Sequence, residues 1–170
     1  SYIIRIMENE QLEQLYYGKR IHDREDFTYL HEECMRSQMS INVPEPGILS
    51  MQYTKQEFPT YGTGDYRSPA LTIVQENGSR IVNFTYASHE IYNGKKATYV
   101  ENEDEAQTLE VTLHDAVMDT DLILSYTIYE EYPVLTRNAK ICHKGSEKIV
   151  LDKIMSASVE FNDMDYEMVQ

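Results

Sequence analysis

The sequence predicts an all-β fold of antiparallel strands, a sandwich or a barrel, and three observations predict it. Residues 108–114 alternate, with Leu109, Val111 and Leu113 on one side and Glu110, Thr112 and His114 on the other. Turn signals recur at roughly regular spacing, at Asp119-Thr-Asp121, Tyr132-Pro133 and Lys144-Gly145-Ser146, with few helical periods between them. The chain also holds 14 Tyr and 4 Phe, large side chains that suit a half-buried pleated surface.

Taken in order, residues 3–6 and 12–17 flank the polar Glu8-Asn9-Glu10 stretch and read as a hairpin. The segment 19–57 carries Val43-Pro-Glu-Pro-Gly and few periodic apolar positions, so it is expected as a long loop with a short helix near 30–36. Residues 70–74 and 79–87 are joined by Glu76-Asn77-Gly78. An Asn-Gly pair accepts the positive φ angles of a tight turn, which predicts a second hairpin. Further strands are expected at 108–114, 122–131, 134–143 and 148–161.

Composition narrows the function classes. With 15 basic and 29 acidic residues in 170, the formal net charge is −14, an unfavourable surface for phosphate backbones or anionic membranes. No apolar run reaches the ~18–20 residues of a membrane-spanning helix, and the N-terminus lacks the layout of a signal peptide. Cys34 and Cys142 form neither a zinc knuckle nor a disulfide framework and are expected as inert thiols of a cytoplasmic protein. The five histidines fall at no metal-ligand spacing. Glu101-Asn-Glu-Asp-Glu105 lacks the glycine and terminal spacing of a calcium loop, so a solvated acidic loop is expected. Asp119-x-Asp121 reads as turn chemistry rather than a metal site. Neither a metal nor a cofactor is expected.

One segment is unlike ordinary strand or loop: Phe58-Pro-Thr-Tyr-Gly-Thr-Gly-Asp-Tyr-Arg-Ser-Pro-Ala70. Two readings of it are open. A rigid loop would use Asp65 and Arg67 as a pair or as backbone caps. A polar-ligand site would use Asp65 to accept from sugar hydroxyls and Arg67 to donate through its planar fork.

Tyr61-Gly-Thr-Gly-Asp-Tyr-Arg-Ser-Pro-Ala70 resembles the signature of the N-terminal domain of bacterial α-galactosidases of glycoside hydrolase family 36. Weaker matches follow in order at Asn77-Gly-Ser-Arg80, Ser88-His89-Glu-Ile-Tyr92, Ala97-Thr-Tyr-Val-Glu101, Leu109-Glu-Val-Thr-Leu113, Leu124-Ser-Tyr-Thr127, Thr136-Arg137, Ser156-Ala-Ser158 and Asp165-Tyr166-Glu167. The resemblance implies a single domain over 1–170, a β-supersandwich of the galactose mutarotase-like kind. It would be a fragment of a longer enzyme, standing ahead of a catalytic (β/α)8 barrel in the same parent chain. The family hydrolyses terminal α-galactosyl residues of melibiose- and raffinose-type sugars with retention, using two barrel carboxylates.

Phe161-Asn-Asp-Met-Asp165 shares letters with the family's nucleophile segment but lies where the sandwich ends, so no catalytic residue is assigned in this chain. The resemblance implies that Asp65, Arg67 and Tyr66 stand at the edge of the galactose pocket, in a homo-oligomer expected to be a tetramer in the parent enzyme. Two departures from the family pattern stand out. Between Lys96 and Ala97 the family usually has several more residues, either deleted here or lying outside this sequence, and the chain stops at Gln170, where family members continue into further strands. The expected sandwich is thus truncated at its C-terminal edge. The alternative is an autonomous carbohydrate-binding or interaction sandwich, a reading the absence of Trp weakens slightly.

Overall fold

The computed structural model describes residues 1–32, 40–42, 48–62, 64, 66–95 and 105–161. Among the described residues ten strands carry the fold: β1 (Tyr2–Ile6), β2 (Leu12–Tyr17), β3 (Ser40–Asn42), β4 (Ile48–Ser50), β5 (Leu71–Val74), β6 (Thr85–Asn93), β7 (Ala106–Asp115), β8 (Thr120–Tyr129), β9 (Leu135–His143) and β10 (Val150–Ile154). The pairings between these strands are antiparallel, and the isolated bridge from Thr60 to Leu71 is parallel.

One layer is the meander β6-β7-β8-β9. Its alternation matches the sequence: Val111 and Leu113 on β7 and Leu122, Leu124 and Tyr126 on β8 are buried, and register pairs Leu113 with Leu122 and Val111 with Leu124. Asp115 shapes the β7–β8 turn, because its Oδ1 accepts from the amides of Val117 and Met118, both at 3.0 Å. Asp119 closes the turn with φ 47°, a left-handed value that Asp tolerates better than most residues.

The other layer is less regular. The β1–β2 hairpin continues sideways into residues 55–57, where Gln14 N–H donates to Lys55 O and Glu57 N–H to Leu12 O. Thr60 then bridges to Leu71 of β5, and β5 pairs with β10. Between the layers lies one cluster that includes Leu12, Phe58, Leu71, Ile73, Phe84, Leu113, Leu122 and Leu124. A smaller cluster of Met7, Leu49 and Met51 sits where β4 meets the β1–β2 turn.

The structure corrects the expected second hairpin. The turn exists, with Gly78 at φ 82° and Gln75 N–H donating to Ser79 O at 2.9 Å. Residues 79–84, however, do not ladder onto β5. Both edges of β5 are taken, one by β10 and the other by Thr60. The returning chain buries Val82 and Phe84 but sends its amides elsewhere, Val82 N–H to Tyr61 O and Asn83 N–H to the Asp115 carboxylate. It becomes a strand only at Thr85, in the opposite layer.

The segment 19–57 also holds more than a loop, since β3 and β4 pair within it. The expected helix near 30–36 is met by a single 3-10 turn at Thr28–Leu30, while 33–39, with Cys34, lie outside the described residues. The strand expected over 148–161 is confined to Val150–Ile154. Residues 101–104 of the acidic run lie outside the described residues, and Cys142 is a free thiol. No helix among the described residues is long and apolar enough to cross a membrane.

Candidate functional site

The segment singled out by its composition forms a loop whose ends are held side by side. Ala70 N–H donates to Pro59 O at 2.7 Å, and Thr60 bridges to Leu71. Phe58, Pro59, Thr60 and Ala70 are buried, so the base of the loop belongs to the core. Gly62 and Gly64 take φ values of 96° and 89°, which only glycine adopts without strain. Gly62 is also tightly placed, because an added Cβ would stand 2.9 Å from the side chain of Ile81 and 3.2 Å from its Cα.

Beyond the glycines the chain divides its side chains between solvent and protein. Tyr66 is 84% exposed, among the most exposed large side chains of the described residues. Arg67 turns the other way, with 19% of its side chain exposed. Its Nη2 donates to three carbonyls of the turn after β4, Met51 O and Gln52 O at 3.1 Å and Thr54 O at 2.8 Å. Its Nη1 forms a salt bridge with Glu160. That turn is itself closed by Thr54, whose amide and hydroxyl both donate to Ser50 O. Tyr53, Tyr61 and Ile81 add exposed apolar surface on residues adjoining the loop or its anchors. Asp65, the third residue the sequence assigned to the pocket edge, lies outside the described residues, as does Thr63.

Behind the loop runs a buried polar layer. Glu57 is fully buried. Tyr2 donates its hydroxyl to one carboxylate oxygen and Tyr126 to the other, the latter at 2.7 Å, and Arg137 pairs with the same carboxylate. The Arg137 guanidinium also lies over both rings, 5.7 Å from the centroid of Tyr2 and 5.2 Å from that of Tyr126. Burial pushes the Glu57 carboxyl up, while Arg137 and the two hydroxyls pull it back. Burial, reinforced by the nearby Glu57 charge, pushes the two phenols up as well. Glu13 is likewise buried, between Arg5 Nε at 2.8 Å and His31 Nδ1 at 2.6 Å.

This layer was not anticipated from the sequence, although one signal points to it. Arg137 shares the parity of Leu135, Ala139 and Ile141 on β9, the face turned to the core. A cation at such a position requires a buried acid opposite it.

Chemically, the arrangement can hold a loop and present the ring and hydroxyl of Tyr66 to solvent. Retaining glycoside cleavage needs two carboxylates about 5 Å apart across a bound sugar. Of the described residues, the buried carboxylates are Glu13, Glu57 and Asp115, each engaged by its own partners within the fold. Among the described residues no group of three or more His, Cys, Asp or Glu side chains is placed to hold a metal ion.

Comparison with known proteins gives a consistent picture. The model of the glycosyl hydrolase family 36 N-terminal domain matches residues 10–170. The chain is 36% identical to the α-galactosidase AgaA of Geobacillus stearothermophilus over 175 residues, covering 99% of this chain and 24% of that protein. It is 29% identical to α-galactosidase 1 of Pediococcus pentosaceus, again over 99% of this chain and 24% of the relative. A crystal structure of the Geobacillus AgaA enzyme in complex with raffinose superposes with a TM-score of 0.86 at 36% identity, covering 97% of this chain and 24% of that one. The galactosidase domain of the α-galactosidase-sucrose kinase AgaSK superposes at 0.79 with 31% identity, covering 92% and 22%. The chain therefore spans about a quarter of the length of the curated relatives it matches.

Proposed function

Because the chain belongs to the glycosyl hydrolase family 36 N-terminal domain family, we propose that its parent protein is a retaining α-galactosidase and that this domain is its non-catalytic N-terminal part. The observation that carries the reading is the end-to-end match, in sequence and in fold, to one quarter of α-galactosidases. Terminal α-D-galactosyl residues of melibiose- and raffinose-type oligosaccharides are the substrates, in keeping with the raffinose and stachyose held by two of the structural neighbours. The catalytic pair belongs to the barrel that accompanies this domain in the parent. The enzyme works in the cytoplasm as a homo-oligomer, which this domain helps to assemble.

Within that enzyme the 60–70 loop reaches the edge of a galactose pocket, with Asp65 accepting from sugar hydroxyls and Tyr66 and Arg67 beside it. The support is the shape of the loop: a buried base, two left-handed glycines and an outward Tyr66. The test is Asp65→Ala in the full-length protein, followed by steady-state kinetics on melibiose and p-nitrophenyl α-galactoside. Losing a charge-assisted contact of ~1.5–3 kcal/mol should lower kcat/KM roughly 10- to 150-fold with little change in Tm. A kcat/KM within twofold of wild type would remove Asp65 from the pocket. Turnover of p-nitrophenyl α-galactoside by the isolated 170-residue chain would contradict the non-catalytic assignment. Saturable amide shifts with melibiose, without hydrolysis, would indicate a sugar-binding module in its own right.

A further inference from the structure

We propose that Arg67 is a positioning residue: it fixes the 60–70 loop to the segment Ser158–Glu160 and thereby sets the direction in which the loop tip meets the sugar. The inference rests on the reading of that loop as the edge of a galactose pocket. It differs from that reading in the task given to Arg67, which acts through the loop rather than on the ligand.

The loop needs such an anchor. Its base is pinned at Ala70–Pro59 and Thr60–Leu71, and Tyr61 O accepts from Val82 N–H, but these contacts end before Gly64. Past them stand Gly62 and Gly64, residues with the widest choice of backbone conformations in the chain. A tip entered through a glycine such as Gly64 with no further anchor would sample several orientations, and each would lower its effective contact with a bound sugar. Arg67, three residues beyond Gly64, ends that freedom. Its planar fork gathers the carbonyls of Met51, Gln52 and Thr54 through one nitrogen and the Glu160 carboxylate through another.

The partner segment is fixed independently. Gln14, buried on β2, donates from Nε2 to Glu160 O at 2.9 Å and accepts from Glu160 N–H at 3.3 Å. This two-way clasp is what a neighbouring strand would provide, made here by one amide side chain. Two residues earlier, Ser158 O accepts from Arg137 Nη1 at 3.2 Å, and the same guanidinium holds Glu57. The anchor of the loop is therefore continuous with the buried acid layer. Lys153, donating from Nζ to Ser68 Oγ at 2.9 Å, adds a second tie one residue after Arg67.

Orientation separates the two possible tasks. A guanidinium that served the sugar directly would have to face the solvent side, as Tyr66 does. The Arg67 guanidinium instead points into protein, where it meets three carbonyls and a carboxylate. Adjacent residues thus take opposite roles, Tyr66 presented and Arg67 holding.

The experiment uses the full-length protein and the variants Arg67→Ala, Arg67→Lys, Glu160→Gln, Arg67→Ala/Glu160→Gln and Asp65→Ala, with kcat and KM measured separately on melibiose. Positioning predicts that Glu160→Gln, which touches no sugar, raises KM by about 3- to 10-fold with kcat within about twofold. The double variant should be no worse than Arg67→Ala alone, because the two residues form one link. Arg67→Lys should recover only part of the loss, since an ammonium cannot span the same acceptors. Wild-type kinetics for Glu160→Gln, or effects of the two single variants that multiply in the double, would overturn the proposal and leave Arg67 as a direct ligand. Should Arg67→Ala fail to fold, Arg67→Lys and its combination with Glu160→Gln complete the same cycle. A silent Asp65→Ala is a separate result, which would overturn the pocket-edge reading itself and the positioning role with it.

Discussion

A carboxylate removed from water is costly unless charge and hydrogen bonds replace its hydration, and Glu57 shows how completely a fold can do so. Two phenols and one guanidinium from β1, β8 and β9 converge on it. Replacing it with Gln keeps the shape and removes the charge, which leaves Arg137, with 9% of its side chain exposed, without its counter-ion. Glu57→Gln should therefore destabilise the domain by about 3–5 kcal/mol, read as a lower urea midpoint at unchanged slope. A loss under about 1 kcal/mol would show that the pair contributes orientation but little stability. At the same scale, the 58–70 stretch was legible from the sequence as a shaped loop, because two glycines, two prolines and an acid–base pair in one short stretch are rare elsewhere. The opposite directions of Tyr66 and Arg67 were not, since they depend on carbonyls contributed by residues 51–54 and on Glu160, far along the chain.

Between β7, β8 and the turn after β9 lies a second charged group with a measurable pH signature. Asp121 accepts from Lys144 Nζ at 2.6 Å and meets His114 Nδ1 at 2.8 Å. The Lys144 hydrogen bond holds the Asp121 carboxyl below its ordinary value, with His114 adding to the effect. A depressed carboxyl stabilises the fold above the unfolded pKa, and that contribution is lost as pH falls below about 4 through the folded value. Asp121→Asn should therefore flatten the acid limb of a Tm-against-pH curve below about pH 4 while changing Tm little near neutrality, given the solvent exposure of Lys144. An unchanged acid limb would mean that the triad is electrostatically idle.

Elements also show where sequence reading succeeds. Strands β7, β8 and β9 were foreseen, since β7 and β8 carry a buried alternate face and each is paired with its neighbour in sequence, whereas β6, which has no buried residue, was expected to end at residue 87. The partner of β5 was not. Asn77-Gly78 specifies a turn, but a turn cannot say whether the strand behind it has a free edge, and here β10 and Thr60 had taken both. Strands β3 and β4, three residues each, are too short to show any period.

The 170 residues carry a net charge of −14, and repulsion among their carboxylates opposes compaction. Salt should relieve it: raising NaCl from about 20 mM to about 300 mM shortens the screening length from roughly 20 Å to about 6 Å, so Tm should rise by a few degrees. A falling Tm would show that the ion pairs, including Arg67–Glu160 and Asp121–Lys144, outweigh the repulsion.

The pairing of β5 with β10 has a further consequence, one of timing. Leu71 and Ile73 leave the ribosome with no strand beside them on that edge, and Val74 must wait for Val150. At about 5–20 residues per second the wait lasts on the order of ten seconds. During it one of the most apolar strands of the domain is available to chaperones or to another nascent chain, so misassembly during synthesis should begin at β5.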